Sequence, residues 1–481
     1  MGAPIYIAVD LGAGSGRVFL VSFESDRLFL EEVRRFRYPP RIIHDCLRWD
    51  FELIFENVSL GIKKAQDRAR ELGREIISIG VDSWGVDYGL LGENGQLLSD
   101  PACYRDRRTE GIPEEVFKLL PRAEIFSRTG IQFLDFNTLY QLYSERDLLS
   151  DADTLLLLPD LINFRLCGAK CAEYTNATTT QMLNVDSRTW DEDLLRRLDL
   201  RGSILPEIVE PGTIRGTLAD SELKVVSVGS HDTASAVAAA PLTATSAYIS
   251  SGTWSLVGVE LQRPFVNEQA AAANFTNEGG AFGTIRFLKN VMGMWLLERC
   301  REEWKVAGIE TSYEALIEAA FELDTAALIF PDDPRFVNPP SMLAAIRTQL
   351  SETRQEVSAD PAVVAKTIFD SLALRYSSVL RTTCELTGTD ITRIEVLGGG
   401  GRNRYLNQMT TNITGLKVRS GLYEATVVGN ALVQAIAAEQ FSDLAKARSY
   451  IEAVSDLTEF APATVDTEIV DHYAEIEKRY V

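Results

Sequence analysis

The same short unit opens both halves of this 481-residue chain: a buried strand, a turn of small and polar residues, and a second strand. In the first half it spans Ile5 to Ser25, with the turn DLGAGSG at residues 10–16. In the second half it spans Ala247 to Glu260, with the turn SGTW at residues 251–254. Two such units, half the chain apart, predict an internal duplication built on two β-hairpins.

Strands and helices mix through the rest of the chain, which predicts the α/β class. The pattern predicts strands at 75–81, 224–229 and 394–397, a small-residue helix in SHDTASAVAAA, and a long amphipathic helix over 361–388. Asn94-Gly95 predicts a hairpin turn. A boundary near Pro241 divides the chain into predicted domains 1–241 and 242–481.

The net charge and the N-terminal sequence indicate which binding partners and which cellular compartment to expect. The formal net charge of -21 predicts neither nucleic acid nor an anionic membrane as a partner. The start MGAPIYIAVD lacks the basic segment of a signal peptide, Tyr6 stands where myristoylation needs Ser or Thr, and no apolar run is long enough to span a bilayer. We therefore predict a cytoplasmic protein, a monomer or small homo-oligomer, that acts on small molecules.

Cysteine and histidine are sparse. The six cysteines form no CxxC pair, and with only three histidines we do not expect a multi-His metal site. The cysteines are predicted to be reduced thiols.

The glycine turn after the first strand bears on nucleotide binding. The chain lacks GxxxxGK[ST], and Gly12, Gly14 and Gly16 do not make a dinucleotide fingerprint, because the third glycine is one residue early and a strand follows. The turn can still offer N–H groups to phosphates, and Asp10 before it can hold a hydrated Mg²⁺. The alternatives are an ordinary glycine hairpin and a turn-stabilising aspartate.

Two loops of the second half have similar properties. Residues 251–253 (SGT) offer hydroxyl and N–H groups, and Gly398 to Gly401 lie between a strand and a helix that begins near Asn403. Because glycines allow close backbone approach and helix N-termini favour phosphate, we predict that these loops and the first turn hold one polyphosphate.

Asp232 lies at a predicted strand-to-helix junction. Phosphoryl transfer to an alcohol needs a carboxylate that orients the hydroxyl and accepts its proton. The alternative is a helix cap, with Ser230 as the N-cap and Asp232 in the first turn.

Polar and aromatic residues cluster in the first half, as in sugar-binding sites: residues 82–87 (DSWGVD), 104–108 (YRDRR) and 132–140 (QFLDFNTLY). The alternative for each aromatic side chain is core packing.

Eight segments together resemble the FGGY carbohydrate kinases, in order and spacing over nearly the whole chain. They are VDLGAGSGR, IGVDSWGVD, YRDRRT, GIQFLDFNTLYQL, TNATTTQMLN, SHDTASAV, SSGTWSLVGVE and LKNVMGMWLL. The resemblance implies two duplicated domains of the actin and hexokinase (ribonuclease H-like) type, flanking a catalytic cleft, with the sugar and the base in the first and the nucleotide in the second.

The resemblance also implies roles for individual residues. Asp232 is implied as the catalytic base and Asp10 as a support for Mg²⁺ through water. Residues implied to hold ATP are Ala13, Gly14, Ser15, Gly16, Arg17 and Thr253 at the phosphates, and Gly399 and Gly400 at the adenine–ribose end. Residues implied to contact the sugar are Gly85, His231, Asp232, Thr233 and Asn290.

Within the family, the segments most resemble members that phosphorylate L-rhamnulose at its C1 hydroxyl with ATP and Mg²⁺, giving L-rhamnulose 1-phosphate and ADP in L-rhamnose catabolism. Two residues depart from the family pattern: Gly14 where Ser is common, and Glu298 where a Gln is associated with the nucleotide. We expect Glu298 not to contact ATP. The alternatives are a kinase for another ketose or polyol, such as fuculose or xylulose, and an actin-like ATPase without a small-molecule acceptor.

Overall fold

A computed structural model describes residues 3–324, 327–463 and 467–480. The chain forms two compact units, each assembled from separate segments. The first unit contains residues 1–241, 260–287 and 424–455, and the second contains residues 242–259, 288–423 and 456–481. The chain first passes between the units after Pro241, the predicted boundary. The predicted division of the chain into a sugar domain and a nucleotide domain stays a prediction.

The strands of the described residues are numbered in chain order. They are β1 Ile5–Gly12, β2 Ser15–Phe23, β3 Leu28–Arg37, β4 Arg41–Ile43, β5 Cys46–Arg48, β6 Ile76–Ser83, β7 Tyr88–Leu91, β8 Thr154–Leu157, β9 Cys171–Glu173, β10 Glu207–Val209, β11 Ile214–Thr217, β12 Lys224–Val226, β13 Ser246–Ser251, β14 Trp254–Leu261, β15 Thr276–Gly279, β16 Ile285–Met292, β17 Arg393–Leu397, β18 Lys417–Ser420 and β19 Thr458–Phe460.

The α-helices are numbered in the same way. They are α1 Phe51–Glu71, α2 Ile112–Leu119, α3 Arg122–Thr129, α4 Thr138–Ser144, α5 Leu158–Cys167, α6 Tyr174–Ala177, α7 Glu192–Arg197, α8 Asp232–Ala239, α9 Glu268–Ala272, α10 Trp295–Val306, α11 Tyr313–Glu322, α12 Met342–Glu352, α13 Pro361–Thr387, α14 Arg404–Thr414, α15 Ala425–Ala437, α16 Leu444–Val454 and α17 Thr467–Tyr480.

The main sheet of the first unit has the order β11-β12-β6-β1-β2-β3. β1 pairs antiparallel with β2, which confirms the predicted hairpin, and parallel with β6. Residues 5–11 of β1 are all buried, because α1 and α15 both pack against this strand. A strand covered on both faces reads as a continuous apolar run, as IYIAV does here.

The sheet of the second unit repeats this arrangement. β13 pairs antiparallel with β14 and parallel with β17, and β17 pairs parallel with β18. The second predicted hairpin and the duplication are therefore confirmed in strand order and direction. The predicted long helix is α13, which begins after the N-cap Asp360 and ends at Thr387, before the C-cap Gly388.

Helices α8 and α15 pack closely within the first unit. A Cβ atom added to Gly429 of α15 would lie 1.7 Å from the backbone oxygen of Ser235 in α8, so only glycine permits this contact. Beside it, Gln434 donates a hydrogen bond to the Ile7 carbonyl and accepts one from Ser78 at 2.7 Å. Through these contacts α15 fixes α8 against β1 and β6.

All six cysteines are free thiols, as predicted. Among the described residues, the helices are too short or too polar to cross a membrane.

Candidate functional site

Asp232 is the first residue of α8 and follows the N-cap His231. About a third of its side-chain surface (32%) is exposed, and its carboxylate accepts a hydrogen bond from the Thr233 hydroxyl at 3.1 Å. Burial of the carboxyl group raises the pKa of Asp232, and the nearby charge of Asp10 adds to the increase. A partly exposed carboxylate with a raised pKa suits the role of a general base.

The segment before Asp232 is held by a buried carboxylate that the sequence did not single out. Glu173 accepts hydrogen bonds from the backbone N–H of Ser230 at 3.0 Å, from its hydroxyl at 2.6 Å, and from the Thr175 hydroxyl at 2.6 Å. The helix-cap alternative for Ser230 is therefore wrong: His231 is the N-cap, and the Ser230 side chain binds Glu173. Glu173 fixes the backbone from which Asp232 projects.

Asp10 lies near the end of β1, which continues to Gly12, and is directly across from Arg17 of β2. Arg17 forms ion pairs with Asp10 and with Glu424. The side chain of Asp10 is 10% exposed and that of Arg17 is 21% exposed, so the pair is screened less than a surface pair.

Asp82 is the penultimate residue of β6, where it is the register partner of Asp10. It is fully buried, and its Oδ2 accepts a hydrogen bond from Asn430 at 2.5 Å. Its Oδ1 is buried without a hydrogen-bond partner among the described residues. Burial raises the pKa of Asp82 well above its usual range, and the charges of Asp10 and Asp232 raise it further. Three carboxyl groups thus influence one another, and the most buried of them favours its neutral form.

The turn between β1 and β2 contains the residues predicted to hold phosphates. Gly14 has φ +129°, which side chains rarely adopt, and its N–H is bonded to the Gly12 carbonyl at 2.7 Å. The Tyr38 hydroxyl donates to the Gly12 and Ser15 carbonyls at 2.7 and 2.9 Å. Ala13 and Ser15 are exposed at the tip of this fixed turn.

Gly85 follows β6 and precedes Val86, which has φ +72°. A positive φ is a genuine outlier for a β-branched residue and marks local strain. Asp87 holds this segment by accepting hydrogen bonds from the indole N–H groups of Trp49 at 2.7 Å and Trp84 at 2.9 Å.

The predicted sugar residues fall in both units. Gly85, His231, Asp232 and Thr233 belong to the first unit, and Asn290 of β16 belongs to the second. Trp84 and Tyr104 are both 7% exposed and pack in the hydrophobic core, as the core-packing alternative predicts.

The predicted nucleotide residues of the second unit meet in one pocket of about 500 Å³. Its walls contain Gly252, Thr253, Met294, Glu298, Tyr313, Glu314, Ile317, Glu318, Gly399, Gly400, Arg402, Asn403 and Arg404. Gly400 packs so tightly that an added Cβ would lie 2.0 Å from Ser251 Oγ. Asn403 caps α14 by accepting a hydrogen bond from the Leu406 N–H at 3.0 Å. The pocket therefore lies beside a helix N-terminus, a favourable place for anions.

Glu298 also lines this pocket. Its carboxylate accepts a hydrogen bond from the Tyr313 hydroxyl and lies 3.2 Å from Arg301. The Glu298 charge is balanced by this arginine, which reduces its repulsion of an anionic ligand.

The carboxylates of the first unit fit a hydrated Mg²⁺ ion. Within the described ranges there is no cluster of three or more His, Cys, Asp or Glu side chains that could hold a metal directly. Magnesium usually keeps several waters and takes one or two carboxylates, so Asp10, whose side chain is 10% exposed, could hold such an ion through water.

Comparisons with known proteins match this architecture. Residues 5–238 match the N-terminal domain, and residues 247–438 the C-terminal domain, of the FGGY family of carbohydrate kinases. A rhamnulokinase from Oceanobacillus iheyensis is 39% identical over 471 residues, which cover 96% of this chain and 99% of that protein.

Solved structures share the fold at low sequence identity. Ligand-bound xylulose kinase from Lactobacillus acidophilus superposes with a TM-score of 0.77 at 15% identity, covering 99% of this chain and 97% of that one. Plasmodium falciparum glycerol kinase with ADP gives a TM-score of 0.78 at 13% identity, covering 100% and 98%. The predicted two-domain fold is confirmed, and the chain belongs to the FGGY family of carbohydrate kinases.

Proposed function

We propose that this carbohydrate kinase transfers the γ-phosphoryl group of ATP to the C1 hydroxyl of L-rhamnulose, giving L-rhamnulose 1-phosphate and ADP. The observation that carries the proposal is Asp232, a partly exposed carboxylate with a raised pKa at the start of α8. The choice of sugar rests on the 39% identity to a rhamnulokinase along almost the full length of both chains.

The proposed reaction needs one proton acceptor. The C1 oxygen forms a bond to the γ-phosphorus, the bond from that phosphorus to the β–γ bridging oxygen breaks, and the hydroxyl proton passes to Asp232. The raised pKa makes the Asp232 carboxylate a better proton acceptor than an exposed aspartate. Glu173 keeps Asp232 in place through Ser230.

The other proposed roles are those that the resemblance to the family implies. Gly85, His231 and Thr233 of the first unit, with Asn290 of the second, contact the sugar. Ala13 to Arg17 and Thr253 bind the phosphates, while Gly399 and Gly400 bind the adenine–ribose end. Asp10 would hold Mg²⁺ through water, and the ion would neutralise phosphate charge. The proposed location is the cytoplasm, which six free thiols support.

The test is Asp232→Asn, which keeps the size of the side chain and removes the base. We expect kcat for L-rhamnulose in a coupled ATP assay to fall about 100-fold or more, with ADP affinity measured by calorimetry unchanged. Glu192→Gln is the matched control, because Glu192 is an exposed acid in the first turn of α7. Near-normal turnover by Asp232→Asn would show that another group accepts the proton.

A panel of ketoses and polyols tests the substrate. Selective turnover with L-rhamnulose supports the proposal, and selective turnover with fuculose or xylulose would replace the sugar but keep the chemistry. ATP hydrolysis that no sugar stimulates would contradict the kinase reaction itself.

A further inference from the structure

Arg286 of β16 is a fully buried arginine in the first unit. Its Nε donates to the Gly279 carbonyl at 2.9 Å, and its Nη1 lies 3.1 Å from Glu278 Oε2. Its Nη2 lies 3.1 Å from Nδ1 of His231, the residue that precedes Asp232. A buried cation thus contacts the imidazole beside the proposed base.

This contact favours one of the two positions for the hydrogen on the His231 ring. A guanidinium group has only N–H donors, so Nδ1 must accept. A neutral imidazole with an accepting Nδ1 carries its hydrogen on Nε2.

The competing tautomer would place the hydrogen on Nδ1, where it could donate to Glu278 Oε2 at 3.3 Å. That arrangement would bring an imidazole N–H against an N–H of Arg286 at the shorter distance of 3.1 Å. Glu278 already has Arg286 Nη1 as its cationic partner. The geometry therefore favours the Nε2–H form.

We propose that Arg286 is a positioning residue that fixes His231 as the Nε2–H tautomer. Nε2 lies 3.6 Å from Asp232 Oδ1, so its hydrogen is presented beside the proposed base. This step rests on the proposed function: the Nε2–H group donates a hydrogen bond to an oxygen of the sugar next to the reacting hydroxyl. In the opposite tautomer, Nε2 would present a lone pair and could not bind an acceptor oxygen.

The direct test is nuclear magnetic resonance of the full chain with ¹⁵N-labelled histidine. The chain has three histidines, so three imidazole patterns are expected, and His231→Gln identifies the one from His231. In a spectrum recorded at pH 8 we expect the His231 signals to show a hydrogen on Nε2 and none on Nδ1. A hydrogen on Nδ1, or a ring protonated on both nitrogens, would overturn the proposal on the wild-type spectrum alone.

Substitution of Arg286 tests whether this residue determines the tautomer of His231. In Arg286→Leu we expect His231 to move toward the Nδ1–H tautomer facing Glu278, and KM for the sugar to rise about tenfold with KM for ATP unchanged. Arg286→Lys keeps a cationic donor and should restore much of the Nε2–H form. A His231 tautomer that stays the same in both variants would show that Arg286 does not position it.

Arg215 offers a matched control, because its side chain is also fully buried and pairs with Asp160 at 2.5 Å in the same unit. Arg215→Leu should lower stability and leave the His231 tautomer unchanged; a shift equal to that in Arg286→Leu would contradict the specific role. The spectrum does not depend on turnover. If the protein has the Nε2–H tautomer but is inactive with L-rhamnulose, only the proposed function is refuted. If the enzyme is active but has the Nδ1–H tautomer, only this inference is refuted.

Discussion

The two units share an arrangement of strands but differ in what those strands carry at their ends. In the first unit β1 lies between β2 and β6, β6 pairs with β12, and β12 pairs antiparallel with β11. In the second unit β13 lies between β14 and β17, β17 pairs with β18, and β18 pairs antiparallel with β19. β1 reaches Asp10, whose register partner on β6 is Asp82, whereas β13 reaches Ser250, whose partner on β17 is Leu397. One unit therefore places carboxylates where the other places a hydroxyl and an apolar side chain.

The difference teaches that strand order determines where a turn lies, and that the strand-end residues determine what it can bind. Carboxylates suit proton transfer and cations. The small residues of the second unit, with the N-terminus of α14, suit an anion.

The largest expected effect comes from exchanging the residue that distinguishes the two hairpins. Asp10→Asn should lower kcat about 100-fold or more, because it removes the charge that pairs with Arg17 and is proposed to support Mg²⁺. Ser250→Ala, at the equivalent position of β13, should lower kcat less than about threefold. Steady-state kinetics with matched circular dichroism spectra measure both. Equal losses in the two variants would mean that the hairpins have equivalent roles.

A smaller effect concerns the buried carboxyl group of Asp87 in the first unit and the pH dependence of the unfolding free energy. Burial raises the pKa of Asp87 from 3.8 to about 6. Because the folded state then holds the proton more tightly, this contribution to stability is complete below about pH 4 and is lost as pH rises through about 6, at most about 3 kcal/mol. Asp87→Asn should remove this loss, seen as a pH-dependent difference between wild-type and variant unfolding free energies.

Asp443 provides a control of opposite sign. It is the N-cap of α16, and a hydrogen bond from the Lys446 N–H lowers its pKa. Its contribution to stability is present above its ordinary pKa and is lost as pH falls, so Asp443→Asn should change stability in the other direction. A wild-type minus Asp87→Asn difference that does not vary between pH 4 and 7 would contradict the Asp87 prediction.

The smallest effect concerns the glycines that approach the second hairpin. Gly400→Ala should cost about 2 kcal/mol of unfolding free energy, because its Cβ would lie 2.0 Å from Ser251 Oγ. Gly399→Ala is the matched control, since nothing lies within 4 Å of its added Cβ. Denaturant unfolding measures both. Equal destabilisation would mean that the loop, and not its contact with Ser251, is sensitive to side chains.

Much of this architecture could be predicted from local sequence. Both hairpins, the α8 helix and the Gly398 to Gly401 loop depend on neighbouring residues, so strand patterns and turn chemistry reveal them. The sequence predicts nucleotide contacts for Thr253, Gly399 and Gly400 separately, and the structure brings these three residues into one pocket.

The residues that support the site could not be found in this way. Glu173 binds Ser230 from 57 positions away, Arg286 contacts His231 from 55 positions away, and Asn430 reaches Asp82 from 348 positions away. In each case the partner is determined by tertiary packing, and no local pattern marks it. Ser230 illustrates the limit, because its position before a helix predicted a cap while a distant carboxylate determines its actual bond.

The first unit is assembled from segments that lie far apart in the chain, and this has a consequence for biosynthesis. Its last segment, residues 424–455, supplies α15 and α16, and Asn430 and Gln434 bind Asp82 and the Ile7 carbonyl. As a ribosome makes the chain from its N-terminus, the first sheet emerges long before the helix that covers it. The part of the central strands that α15 covers therefore stays exposed until nearly the whole polypeptide has been synthesised. Chaperones that bind apolar strands have that interval in which to act.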